Sequence, residues 1–168
     1  LDFETRSRAP LKTAGAWKYS LDPSTSILCT AFALGNEEQV SVTSKAPTAL
    51  HFLAADKNVL FGAFNVSFEY ALWHNVLVPR HGFPPISIDR WRCSAAVSAS
   101  HSLPRKMGDV CSALHLQQQK DEEGYFIMMK LCKPMNNGEW YEPTESDMYK
   151  LMDYCADDVR CERAIVDE

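Results

Sequence analysis

The chain opens with Leu1-Asp2-Phe3-Glu4-Thr5, and the reading of this stretch decides the fold. An apolar residue alternates with a carboxylate, the period of a β-strand, so Asp2 and Glu4 point to one face. Two carboxylates this close repel each other. A cation between them relieves the repulsion, and hard oxygen ligands suit Mg²⁺ or Mn²⁺. Taken alone, Asp-x-Glu is also what the exposed face of an edge strand carries. The rest of the chain decides between the two.

Working outward, residues 5–25 read as loop, punctuated by Pro10, Gly15 and Pro23. The apolar run at 27–34 has the length of a buried central strand, and Gly35-Asn36 then marks a turn into a returning hairpin strand at 39–42. A helix is predicted over 47–55 and a second buried strand over 58–63. A helix follows from Asn65, its N-cap, to Leu77, with Phe68, Leu72 and Val76 on one face; Val78-Pro79 is expected to stop it. A Pro-containing loop then leads to a short strand near 88–91. Short helices are predicted over 95–99 and 106–116, and a further helix over 119–132. The last helix starts at a capping-box-like Thr144-x-x-Asp147. Its apolar stripe comprises Met148, Leu151, Met152, Cys155, Val159 and Val166. Strand, hairpin and alternating helices indicate one α/β domain without repeats.

The chain has 168 residues, 46% of them hydrophobic and 23% charged, enough for one domain with a proper core. Six cysteines show no Cys-x-x-Cys pair, so reduced thiols are expected rather than a zinc site or a disulfide framework. No apolar run approaches membrane length, no signal peptide is read, and no membrane partner is expected. The net charge is -5, but residues 5–20 carry Arg6, Arg8, Lys12 and Lys18 with no acid. An acidic chain can thus still present a basic lip. With no initiator Met and a start directly on a strand, the chain reads as a trimmed or excised domain.

Two later segments bear on Asp2 and Glu4. In Phe64-Asn65-Val66-Ser67-Phe68-Glu69 a buried strand ends and a helix begins, which puts Glu69 where the helix dipole favours an anion. In Tyr154-Cys155-Ala156-Asp157-Asp158, Tyr154 and Asp158 are four apart and share a helical face, while Asp157 faces elsewhere, toward solvent.

Asp-x-Glu on a first strand, Asn-x-x-Phe-Glu entering a helix and Tyr-x-x-x-Asp on a terminal helix occur in that order. This resembles the three exonuclease motifs of the DEDD superfamily in its Tyr-containing subclass, and the match covers nearly the whole chain. Gly15-Ala16-Trp17-Lys18-Tyr19-Ser20, Pro23-Ser24-Thr25, Gln119-Lys120-Asp121 and Lys133-Pro134 are similar to the proofreading domains of bacteriophage-type, family A-like DNA polymerases. The resemblance implies a ribonuclease H-like fold, a mixed β-sheet of about five strands flanked by helices. It also implies a single domain over 1–168 belonging to a larger polymerase in a bacterial or phage-infected cytoplasm. The implied activity is 3′–5′ hydrolysis of phosphodiester bonds at single-stranded or mismatched DNA ends with two divalent ions, Mg²⁺ or Mn²⁺. Such ions acidify the attacking water and stabilise the departing 3′ oxygen.

At matching positions, Asp2 would bridge both ions, Glu4 and Asp158 would complete one site, and Glu69 would hold the second ion. Tyr154 would orient the water, and Thr5, Arg6, Asn65 and Phe68 would seat the terminal nucleotide. Two positions depart from the pattern: Phe64 stands where a His often precedes the Asn, and Glu69 is one methylene longer than the usual Asp. The position five before Asp158 is Asp153, which excludes the His-containing subclass. The competing readings are an RNA-directed exonuclease of the same fold and an inactive domain that only binds nucleic acid. An unrelated nucleotide-binding module would need a glycine-rich phosphate loop that the sequence lacks.

Overall fold

The computed structural model describes residues 1–117 and 122–168, so Gln119-Lys120-Asp121 lies outside the described residues. β1 (Asp2–Arg6) pairs antiparallel with β2 (Ser26–Phe32), and β2 pairs antiparallel with β3 (Ser41–Thr43). The apolar run forms the central strand of this sheet, as expected. It is mostly apolar because both faces are covered at its C-terminal half: Cys29 and Ala31 face one core cluster and Phe32 another. Asp2 pairs with Ala31 and Glu4 with Cys29, which puts both carboxylates on the Cys29–Ala31 face. Beyond Glu4 the register slips, because Thr5 pairs with Ile27 and Leu28 is the extra residue of a bulge.

The single five-stranded sheet is not formed. β4 (Phe61–Ala63) and β5 (Trp91–Cys93) make a separate parallel pair. The strand expected from residue 58 starts three residues late, because the Asp56 carboxylate accepts from the Asn58 N–H in a turn. The Leu1 amino group, just before β1, donates to Gly62 O of β4 at 3.0 Å.

Residues 11–21, expected as loop, form α1 (Leu11–Leu21). Pro10 sits at its start, and Gly15, at φ 74° and ψ 163°, kinks it. The residues that punctuate the sequence therefore begin and bend a helix instead of preventing one. After α2 (Thr48–Ala55), α3 (Val66–Leu72) does not end at Pro79. It widens into a π-turn over Trp73–Leu77 and continues as α4 (Val78–His81). Val78 N–H reaches back to Trp73 O, and Pro79 follows directly on this widened turn, at the start of α4. Gly82, at φ 69°, ends the helix. The strand expected near 88–91 is instead a 3₁₀ turn, Ile88–Arg90, leading into β5.

The remaining helices are α5 (Ser94–Ser100), α6 (Met107–Ala113), α7 (Glu122–Leu131) and α8 (Glu145–Asp167). α8 starts at the expected capping box of Thr144 and Asp147 and packs on β1, β2 and β3. Leu151, Cys155 and Val159 bury their stripe against Cys29 and Ala31. Val166, expected in that stripe, is 65% exposed; at this end of α8 it is Cys161 and Ile165 that pack, on α6. Among the described residues three core clusters result, one around Phe3, Phe61, Trp73 and Trp91, one around Ile127, Leu131 and Leu151, and a smaller one around Met107, Val110 and Ile165. Among the described residues no helix is long and apolar enough to cross a membrane.

Candidate active site

β1 offers two carboxylates to the face that α8 covers, and α8 offers a third. Carboxylate oxygens of Asp2, Glu4 and Asp158 lie within 4.8 Å of one another. Like charges at that separation repel strongly unless a cation joins them. Tyr154, one turn before Asp158, is buried. Burial pushes its phenol well above the ordinary range, and the charges of Asp158, Glu4 and Asp2 push it further. It stays a protonated hydroxyl beside the carboxylates. Asp157 points away and pairs with Arg160 on the outer side of the helix.

Glu69 comes from the first turn of α3 and is buried, with no hydrogen-bond partner for its Oε2 among the described residues. Its carboxyl titrates well above the usual range, first because of burial and then because of the Asp2 charge. It stands outside the 4.8 Å trio but within its field. A divalent cation fits this donor set: all four groups are hard oxygens, and one buried oxygen lacks any donor.

Two clefts of about 750 Å³ each meet over these carboxylates. Asp2, Phe68, Tyr125 and Asp158 line both. Thr5 lines the first, where its hydroxyl is 2.8 Å from the Tyr19 hydroxyl. Burial pushes the Tyr19 phenol up to about 12, despite that bond. The Phe68 ring lies 5.8 Å from the Tyr19 ring. Asn65 occupies the N-cap position of α3 without capping it: its Oδ1 accepts from Ser67 Oγ at 2.8 Å, and the side chain is exposed beside the second cleft.

Of the four basic residues expected at the lip, Arg8 and Lys12 line the first cleft, whereas Arg6 and Lys18 line neither. Arg6 donates to Ser26 Oγ and lies 4.9 Å over the Trp140 ring, lining neither cleft. Arg8 lies 5.4 Å over the same ring, donates to Gly138 O at 2.5 Å, and lines the first cleft with Lys12 and Lys133. Tyr19, Tyr125 and Cys132 also line the first cleft, and none of them nor Cys155 is a site residue by sequence pattern. Cys155 Sγ is 3.3 Å from Asp2 Oδ2, and Cys132 Sγ is 3.8 Å from Glu4 Oε2. Burial raises both thiols, which keeps them S–H donors. Neither contact has a local sequence signal, because the partners lie more than 120 residues apart.

No known family model matches this sequence, and no solved structure matches it. The chain is similar to the DNA polymerase of Bacillus phage SP02, with 28% identity over 180 aligned positions. The alignment takes in 98% of this chain and 26% of that polymerase, so the chain spans about a quarter of the length of the curated relative it matches.

Proposed function

We propose that this chain is the 3′–5′ exonuclease domain of a DNA polymerase, hydrolysing phosphodiester bonds at single-stranded or mismatched DNA ends by the Tyr-containing DEDD chemistry. The observation that carries this reading is the convergence of Asp2, Glu4 and Asp158 within 4.8 Å beside a buried Tyr154 and a Glu69 oxygen without a partner. A scaffold gains nothing from packing like charges together. The similarity to a phage DNA polymerase supports the DNA substrate and a covalently linked or associated polymerase, with residues 1–168 as one domain of it.

Asp2, Glu4 and Asp158 would hold one Mg²⁺ or Mn²⁺, and Asp2 with Glu69 a second. When bound, the two ions would acidify the attacking water and neutralise charge on the departing oxygen. Tyr154 orients that water through its hydroxyl, a positioning role, since a phenol this hard to ionise is no base at neutral pH. Thr5, Asn65 and Phe68 border the space for the terminal nucleotide, and Phe68 offers a ring on which a base can stack. Arg8, Lys12 and Lys133 at the first cleft meet the strand's phosphates, so binding weakens as salt rises.

The test uses oligonucleotides labelled internally and blocked at one end or the other. Degradation requires Mg²⁺ or Mn²⁺, proceeds on a 5′-blocked strand and stops on a 3′-blocked one. Cleavage in excess chelator, or protection by the 5′ block alone, overturns the proposal.

A further inference from the structure

We propose that two thiols, Cys155 and Cys132, are positioning residues for the metal-binding carboxylates. Cys155, buried on α8 next to Tyr154, approaches Asp2 twice, with Sγ 3.6 Å from the main-chain oxygen and 3.3 Å from Oδ2. One donor spanning main chain and carboxylate fixes the Asp2 side chain against its own strand. Cys132 comes from a different element, just past α7, and its Sγ lies 3.8 Å from Glu4 Oε2. Its main-chain oxygen accepts from Ser7 N–H at 3.4 Å. The segment carrying this thiol is therefore tied to the end of β1 independently of the thiol contact. Each β1 carboxylate thus has a thiol at one of its oxygens, each supplied by a separate part of the fold.

The choice of sulfur has a physical reason. A lysine or arginine at these places would be a strong donor and would neutralise the carboxylate, competing with a cation for it. An S–H group is a weak donor with a long reach. It holds a carboxylate in one rotamer and leaves most of the negative charge for the metal. Partners behind metal ligands act in this way, and their loss typically costs ten- to a hundredfold in metal affinity.

The inference rests on the metal-site part of the exonuclease reading, and its test separates the two. Mn²⁺ binding is measured by the electron paramagnetic resonance of the unbound ion, alongside single-turnover hydrolysis of a single-stranded oligonucleotide. The variants are Cys155→Ala, Cys155→Ser, Cys132→Ala and Cys132→Ser, with Cys111→Ala as control. Cys111 is equally buried but packs on Cys161 and Ile165, away from the carboxylates. Each Ala variant is expected to bind Mn²⁺ about tenfold more weakly, the Ser variants are expected to recover part of that loss, and the control should bind like the parent. Cys132, at the cleft wall and only half-buried, keeps the test decisive if Cys155→Ala does not fold. Ala variants that bind Mn²⁺ within about twofold of the parent overturn the inference, as does an equal loss in Cys111→Ala. If the parent binds Mn²⁺, the Ala variants lose it and no DNA is degraded, the exonuclease reading fails and the positioning role stands.

Discussion

Arg90 and Glu69 are buried to nearly the same depth, 7% and 4% exposed, and the fold treats them in opposite ways. Arg90 spends its guanidinium on the carbonyls of Leu53, Ala54, Asp56 and Val59, at 2.6–3.3 Å, and lies 5.5 Å over the Phe61 ring. Those carbonyls belong to the last turn of α2 and the segment after it, where the helix dipole favours a cation. Glu69 has the matching advantage, an anion in the first turn of a helix, yet one of its oxygens has no partner and Asp2 repels it. The charge that holds the fold is satisfied from within. The charge beside Asp2 is not.

The largest effect expected from this contrast is on Arg90. Arg90→Met removes the donor to four carbonyls, that of Ala54 buried and the other three partly buried, and should lower the unfolding free energy by about 3 kcal/mol, read from urea melts. The variant that remains folded should still bind Mn²⁺ like the parent. A loss of Mn²⁺ affinity matching the loss of stability would erase the distinction between the two regions.

The same contrast recurs within one turn of α8, where Asp157 pairs with Arg160 and Asp158 faces the other carboxylates. Asp158→Asn should slow single-turnover hydrolysis at saturating Mg²⁺ by roughly a hundredfold or more, ~3 kcal/mol of transition-state stabilisation. Asp157→Asn should change rate and stability by no more than about 0.5 kcal/mol. A mild Asp158→Asn beside a crippling Asp157→Asn would show the helix face to be misread.

The smallest effect has the most telling sign. The folded pKa of Glu69 lies above its ordinary value, so the native state holds a proton that the unfolded chain has lost. Its contribution to stability is complete below the unfolded value of about 4.3 and is lost as pH rises through the folded one. Without metal, Glu69→Gln should therefore stabilise the protein at neutral pH, by about 1–3 kcal/mol, and flatten that stretch of the melting-temperature profile. It should also weaken Mn²⁺ binding. Coincident profiles for the two proteins in chelator would mean that Glu69 is not strained in the apo state.

Local periodicity made much of this legible. The capping box of α8 and the Leu151–Cys155–Val159 stripe stand where the pattern put them, and the hairpin forms with its returning strand at Ser41–Thr43 instead of 39–42, because each is set by neighbours within a few residues. The misread helix boundaries share one cause, which is that a punctuating residue has more than one structural use. Pro10 and Gly15 begin and kink α1, and Pro79 is accommodated by a π-turn. Which use is made depends on what the segment packs against: α1 and α3 pack together, and Tyr19 of α1 buries its ring on Phe68.

The sequence by itself determined that Asp2 and Glu4 share a strand face and that Tyr154 and Asp158 share a helix face, since both follow from backbone repeats of 2.0 and 3.6 residues. Only the tertiary structure decided that α8 crosses β1 so as to bring Asp158 to Asp2 and Glu4. It alone placed Arg8 rather than Arg6 at the cleft, set thiols behind two carboxylates, and divided the strands between two sheets. Those outcomes depend on contacts between segments remote in sequence, where the packing of the core clusters, not the period of any one segment, fixes which atoms meet.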